Sequence, residues 1–254
     1  MITLKSTREI EIMARAGAIV ARTLDLVGGL VRAGVSTESL DDEAERFIRS
    51  HPGATPSFKG LYGFPKTLCI SINEEIVHGI PSPSRILREG NIVSVDVGVY
   101  LLGFHADSAR TFPVGRISPA AEWLLATTRQ ALEAGIAQAR LGNHVGDIGH
   151  AIQTVAEAAG FGVVRELVGH GVGTRMHEDP QVPNHGQPRR GPRLQAGMTL
   201  AIEPMITAGG YATKVLDDKW TVVTADASLA AHFEHTVAIT SNGPRILTRA
   251  DQPP

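Results

Sequence analysis

The sequence predicts an α+β fold built on a mainly antiparallel sheet. Two helical stretches open the chain and a strand-and-turn region follows. The same order then repeats, without the strand–helix–strand alternation that builds parallel sheets. The 254 residues are 43% hydrophobic and 20% charged, ordinary for a globular chain with a substantial core. A spacing match links the two halves: Leu87-x-x-Gly90-x5-Asp96 and Leu194-x-x-Gly197-x5-Glu203 each end an apolar strand on a carboxylate. That match suggests an internal duplication.

Ser6-Thr7-Arg8-Glu9 has the spacing of a capping box. Ile10, Met13, Ala16, Val20, Leu24 and Val27 then recur at three- and four-residue steps up to Gly28-Gly29, predicting a first amphipathic helix. A second is expected from Thr37 to about His51, with Leu40, Ala44, Phe47 and Ile48 inward. Between 52 and 116, glycine and proline punctuate β-prone runs at 68–72, 76–80, 91–100 and 106–114, which read as strands. Helical periodicity returns after Ser118, through Trp123, Leu124, Leu132 and Ile136, and again over 145–159. Residues 163–247 are strand and turn once more. No low-complexity linker separates the halves, so residues 1–254 read as one domain.

Bulk properties narrow the function. A net charge of −2 gives no general reason to expect nucleic acid or an anionic membrane as partner. The single cysteine, Cys69, excludes an intrachain disulfide framework and fits a reducing compartment. The N-terminus lacks the apolar core of a secretory signal, and no apolar run approaches the roughly 18 residues that span a bilayer. A cytoplasmic protein is expected.

The strands carry misplaced charges. Asp96 interrupts NIVSVDVGVY, Asp107 lies on the strand that follows, Glu203 interrupts LAIEPMI and Glu234 stands within AAHFEHTVAIT. A turn centred between Leu101 and Leu102 would put Asp96 directly opposite Asp107, with Cβ atoms roughly 5 Å apart. Like charges so placed repel, and Arg110 is the nearest cation in sequence. A single acid in such a strand is ordinarily an edge residue facing water; four of them accompanied by His170 ask for a cation. An oxygen-rich site with one imidazole suits Mn, Fe, Co or Zn, and two ions would account for so many acids. In GHGVGTRMHEDP (169–180), His177-Glu178 starts like a helical zinc motif, but Gln181 holds its final position and Pro180 would break the helix. Glycines 169, 171 and 173 suggest extended or turning backbone passing close to something. Seven extended residues span roughly 20 Å, so His170 and His177 are expected to differ in role. His51, His144, His150 and His185 read as surface or packing residues, and His105 and His232 as neighbours of the ligands.

Taken together, CISINEEIVHGIP (69–81), DVGVYLLGFHADSARTF (96–112), GHGVGTRMHEDP, IEPM (202–205) and FEHT (233–236) resemble the type I methionine aminopeptidases, over nearly the whole chain. The resemblance implies the pita-bread fold of X-Pro aminopeptidases, prolidases and creatinase: a curved, mainly antiparallel sheet, helices on its outer face, and two pseudo-related halves. It implies two divalent ions (Co, Mn, Fe or Zn) held by Asp96, Asp107, His170, Glu203 and Glu234, with Asp107 and Glu234 bridging. Glu203 would also act as general base, and His177 and His78 would contact the substrate without binding metal. Phe58, Leu61, Phe64, Cys69, Met176 and Trp220 fall where the family holds the methionine side chain. The implied reaction removes the N-terminal methionine of nascent polypeptides, when the second residue is small, by two-metal-assisted hydrolysis. The implied partners are nascent chain ends and the ribosome near its exit tunnel, for a monomer that needs neither nucleic acid nor membrane.

Length discriminates within the superfamily. Prolidases and X-Pro aminopeptidases resemble this chain in their ligands but carry a large N-terminal domain, and a first helix beginning at about residue 7 leaves no room for one. The type II enzymes carry an inserted subdomain that does not fit between Glu203 and Glu234. Phe58, Leu61, Val77, Ala106 and Met176 depart from the commoner bacterial pattern, and these departures concern the pocket rather than the ligands. A hydrolase of X-Pro or dipeptide substrates would differ in the peptides it cuts. A non-catalytic relative would have lost ligands, and here all five are present with both histidines.

Overall fold

A computed structural model of the chain describes residues 1–251. Its α-helices are α1 (Thr7–Leu30), α2 (Thr37–Arg49), α3 (Pro119–Gln138) and α4 (Val145–Ala158). Between the helix pairs lie β1 (Ala54–Pro56), β2 (Leu68–Ile72), β3 (Glu75–Val77), β4 (Ile92–Leu101) and β5 (Phe104–Pro113). After α4 come β6 (Gly162–Val163), β7 (Gly169–Gly171), β8 (Glu178–Val182), β9 (Thr199–Ile202), β10 (Met205–Thr207), β11 (Thr213–Val215), β12 (Val222–Thr224), β13 (Ala230–His232), β14 (His235–Thr240) and β15 (Gly243–Ile246). Among the described residues every pairing of these strands is antiparallel, and no helix is long and apolar enough to cross a membrane.

The helices start where the sequence marks them. Ser6 accepts the Glu9 N–H while the Glu9 carboxylate accepts the Ser6 N–H, forming the expected capping box. Ser118 caps α3 in turn, with Pro119 in its first turn. The helix faces hold one surprise. Leu124, Leu125, Leu132 and Ile136 are buried, but Trp123 is half exposed, one residue off the inward stripe. Phe47 of α2 is only partly buried.

Three backbone hydrogen bonds recur in the two halves. Gly34 N–H donates to Leu87 O, Leu87 N–H to Val35 O, and Thr37 N–H to Arg85 O. In the second half Gly142 N–H donates to Leu194 O, Leu194 N–H to Asn143 O, and Val145 N–H to Pro192 O. Gly90 and Gly197 both take left-handed backbone, at φ +88° and +91°, ahead of the strand that carries an acid. The spacing match in the sequence therefore marks equivalent places.

Alternation along the strands decides which face carries chemistry. Val93, Val95, Val97 and Val99 of β4 point into one apolar cluster with Leu24 of α1 and Leu40 and Ile48 of α2. Leu200 and Ile202 of β9 point into another with Leu124, Ile148 and Ile152 of α3 and α4. Asp96 alternates with the valines, so it emerges on the face away from the helices.

Two local expectations change. The run 76–80 does not stay extended: β3 ends at Val77, and His78 turns to φ +62°. The β4–β5 hairpin turns on Leu102-Gly103, whose φ values of +49° and +95° are both positive, as a type I′ turn requires. Asp96 consequently pairs with Ala109 and Asp107 with Gly98. The two acids share a face as diagonal neighbours rather than direct partners.

The packing of α1 against the chain's end predicts a mutational outcome. A Cβ at Gly17 would stand 2.3 Å from the Leu247 carbonyl oxygen. Alanine gains about 1 kcal/mol of helix propensity, but displacing backbone costs about 1–3 kcal/mol. Gly17→Ala is expected to lower Tm by a few degrees, and a raised Tm would show that residues 246–248 yield freely.

Candidate active site

Five side chains converge from five places in the chain. Asp96 comes from β4 and Asp107 from β5. His170 sits at a register shift between β7 and β8. Glu203 and Glu234 stand in breaks, after β9 and before β14, not within strands as the sequence suggested. Proline at 204 has no N–H to continue a ladder. The register nevertheless carries through: Ile202 pairs with His235 and Met205 with His232. Glu203 thus falls opposite Glu234, the direct opposition that the sequence suggested for the other acid pair. His170 Nε2 lies 3.6 Å from Asp107 Oδ2 and 3.6 Å from Glu203 Oε1. Ligand atoms of Asp107, His170 and Glu234 all fall within 4.8 Å of one another.

The acids disturb each other strongly. Burial, then the charges of Asp107 and Glu203, pushes Asp96 well above the ordinary carboxylate range. Glu234 is raised well above it for the same reasons, with Asp96 adding to the repulsion. Burial raises Glu203 to about 8, against the pull of His170. Burial also raises Asp107, which His170 and the Thr236 hydroxyl partly stabilise; that hydroxyl lies 3.0 Å from Asp107 Oδ1. Asp96 Oδ1 and Glu234 Oε1 are buried without a hydrogen-bond partner. Buried carboxylate oxygens lacking donors are costly unless a cation meets them. His170 Nδ1 is 2.9 Å from Gly171 O; donating there leaves the Nε2 lone pair facing the acids. The donor set and its orphaned oxygens fit divalent metal.

All five side chains line one cavity of about 720 Å³, together with His78 and His177. The two histidines of GHGVGTRMHEDP do not spread apart as an extended segment would. The chain reverses between β7 and β8, and the imidazoles of His170 and His177 pack edge to face at 4.5 Å. His177 is open to solvent on one side. It titrates near 4 because protein surrounds the rest and the charges of His170, His78 and His105 oppose its protonation. His78 also titrates near 4, through burial and then His232.

The same cavity has an apolar end. Phe58, Phe64, Cys69 and Met176 form a buried cluster, with Leu61 and Trp220 packed against it. Phe64 and Trp220 meet edge to face at 5.1 Å. Cys69 pairs with Asp96 in the β2–β4 register, and burial followed by the Asp96 charge holds its thiol well above the usual range. Val77, before His78, lines the cavity as well.

Some neighbours went unread in the sequence. Tyr62, between Gly60 and Gly63, stacks on His177 at 5.9 Å from an exposed turn with φ +52°; the flanking glycines were the available signal. His232 is fully buried, with Nε2 3.5 Å from Glu203 Oε2. His105 instead meets Ser57 Oγ at 2.9 Å. Arg110 pairs with Asp25 of α1 and leaves the acids uncompensated.

Comparison with known proteins agrees with this geometry. A methionine aminopeptidase of Clostridium perfringens is 56% identical over 248 residues, covering 98% of this chain and 99% of its own. The crystal structure of a methionine aminopeptidase from Thermotoga maritima matches with a TM-score of 0.96 at 43% identity, over 98% of this chain and 100% of that one. A prolidase from Pyrococcus furiosus shares the pita-bread fold alone, with a TM-score of 0.78 at 20% identity over 97% of this chain and 65% of its own. The profile of Metallopeptidase family M24 matches residues 11–241, from within α1 to just past β14. Agreement over that span, in sequence and in fold, establishes that the chain belongs to metallopeptidase family M24.

Proposed function

We propose that this chain removes the N-terminal methionine from nascent polypeptides whose second residue is small, with two divalent ions, Co, Mn, Fe or Zn, at the acid cluster. The observation that carries this reading is the apolar end of the cavity, built from Phe58, Leu61, Phe64, Cys69, Met176 and Trp220 beside that cluster. An unbranched thioether side chain fits such a lining, and Met and Cys sulfur pack well against aromatic rings. The carboxylate-rich end suits a free α-amine, which restricts cleavage to a chain's first residue.

Asp107 and Glu234 would face both ions, Asp96 one of them, and His170 and Glu203 the other. When bound, such ions lower the pKa of water from ~15.7 toward about 7 and polarise a carbonyl. Glu203 accepts the proton of the attacking water at a carboxylate oxygen. Its carboxylate lines the cavity beside His170, where such a water would be activated. His177, neutral at physiological pH, donates its N–H to the oxygen on which charge develops. His78 bonds the nitrogen of the scissile bond. We read residues 1–254 as one catalytic domain acting as a monomer in the cytoplasm, on chain ends leaving the ribosome. The lone cysteine supports that compartment.

Incubating the protein with Met-Ala-Ser and with an Ala-Pro peptide, under added Mn, Co, Fe or Zn, tests the substrate. Release of methionine that stops with a chelator and returns with metal is expected, whereas cleavage of Ala-Pro alone would overturn the reading. His177→Ala is expected to lower kcat on the order of 10²- to 10³-fold with metal content intact; metal loss would make His177 a ligand instead. Metal analysis of Asp107→Ala should find fewer than two ions per chain, and undiminished occupancy would rule out a bridging carboxylate there.

A further inference from the structure

One charged pair at the edge of the cavity, which Glu178 lines and Lys5 does not, is buried on both sides. Lys5 Nζ lies 2.6 Å from Glu178 Oε2, and the two side chains are 3% and 2% exposed. Glu178 immediately follows His177, and its other oxygen accepts the Arg175 N–H at 3.1 Å and the Thr174 hydroxyl at 3.3 Å. One carboxylate therefore clasps the whole 174–178 turn. Lys5 is itself anchored: its backbone N–H donates to Gly197 O at 2.7 Å, at the approach to β9 and Glu203. Gly173 gives the ammonium its space, since a Cβ there would stand 2.4 Å from Lys5 Cε.

The pair adds placement more than stability. Replacing a buried ion pair by apolar side chains of similar shape is often neutral or stabilising. The imidazole next to it needs placement, because His177 is open on one side and rests on ring contacts with His170 and Tyr62. The turn therefore sets where its N–H points.

We propose that Lys5 is a positioning residue for the reaction: through Glu178 it ties the turn bearing His177 to the strand approach bearing Glu203. The proposal rests on the role given above to His177. Its test is a double-mutant cycle on Met-Ala-Ser hydrolysis by the metal-loaded enzyme, combining Lys5→Met with His177→Ala. Lys5→Met alone should lower kcat about 10- to 100-fold with unchanged metal content, and Lys5→Arg should recover part of the loss. In a His177→Ala background Lys5→Met should cost no more than about twofold, because the imidazole it places is already gone. An equal loss in both backgrounds would reduce Lys5 to a general structural role and overturn the proposal while leaving His177 in place. Wild-type kcat in Lys5→Met would also overturn it, and wild-type kcat in His177→Ala would overturn both readings. If Lys5→Met does not fold, the pair-free Lys5→Met/Glu178→Met enters the cycle in its place, with the same outcomes expected.

Discussion

Repulsion among four carboxylates in one cavity is the constraint around which this protein is arranged. Asp96, Asp107 and Glu203 each raise the proton affinity of a neighbouring carboxylate, Glu234 is raised by all three, and two of the oxygens meet no donor from the protein. A flexible scaffold would let such groups move apart and hydrate. Here each is held by backbone that cannot drift. The Glu234 N–H donates to Ala109 O, the Asp107 N–H to the Thr236 hydroxyl, and Asn184 to Glu203 O. The first two of these bonds cross between the halves, so parting the acids of one half from those of the other would mean separating the halves.

The duplication supplies the acids two by two, but the halves differ in how they do so. In the first, an unbroken hairpin carries Asp96 and Asp107 on one face while the alternating valines bury themselves under α1 and α2. In the second, the equivalent strands break at Glu203-Pro204 and Phe233-Glu234. Each acid then sits at a joint between sheets, where its backbone is less committed to a ladder. The chain between those joints folds into β10 to β13, and β12 pairs with β3 of the first half. That pairing brings Trp220 to the same wall as Val77 and His78. The apolar end of the cavity is thus a product of both halves, whereas the helices behind them serve mainly as backing.

The repulsion also explains the company the acids keep. Arg110, the cation closest in sequence, is turned outward to Asp25, and the basic groups within 4 Å of these acids among the described residues are the imidazoles of His170 and His232. Imidazoles titrating near 4, as His177 and His232 do, are neutral at physiological pH and do not neutralise the acids. A cation from solution remains the partner that can.

Much of this was legible in one dimension. Helix starts, buried stripes and strand positions depend on steps of two to four residues, and the capping box at Ser6, the valine alternation around Asp96 and the paired spacing at Leu87 and Leu194 are written at that range. Carboxylates inside apolar strands were conspicuous for the same reason, since burying a lone charge is costly whatever the fold. The tertiary structure decided the rest. The hairpin register turned on a positive φ at Leu102, a residue with no local sign of it. The opposition of Glu203 and Glu234 needed strands 31 residues apart to align, the packing of His170 on His177 needed a reversal between β7 and β8, and the clasp of Lys5 on Glu178 closes over 173 residues. Pattern along a chain specifies which faces must be buried. Which distant groups then touch follows only when those faces are packed together, because contact between remote residues is set by closure of the core and not by their neighbours in sequence.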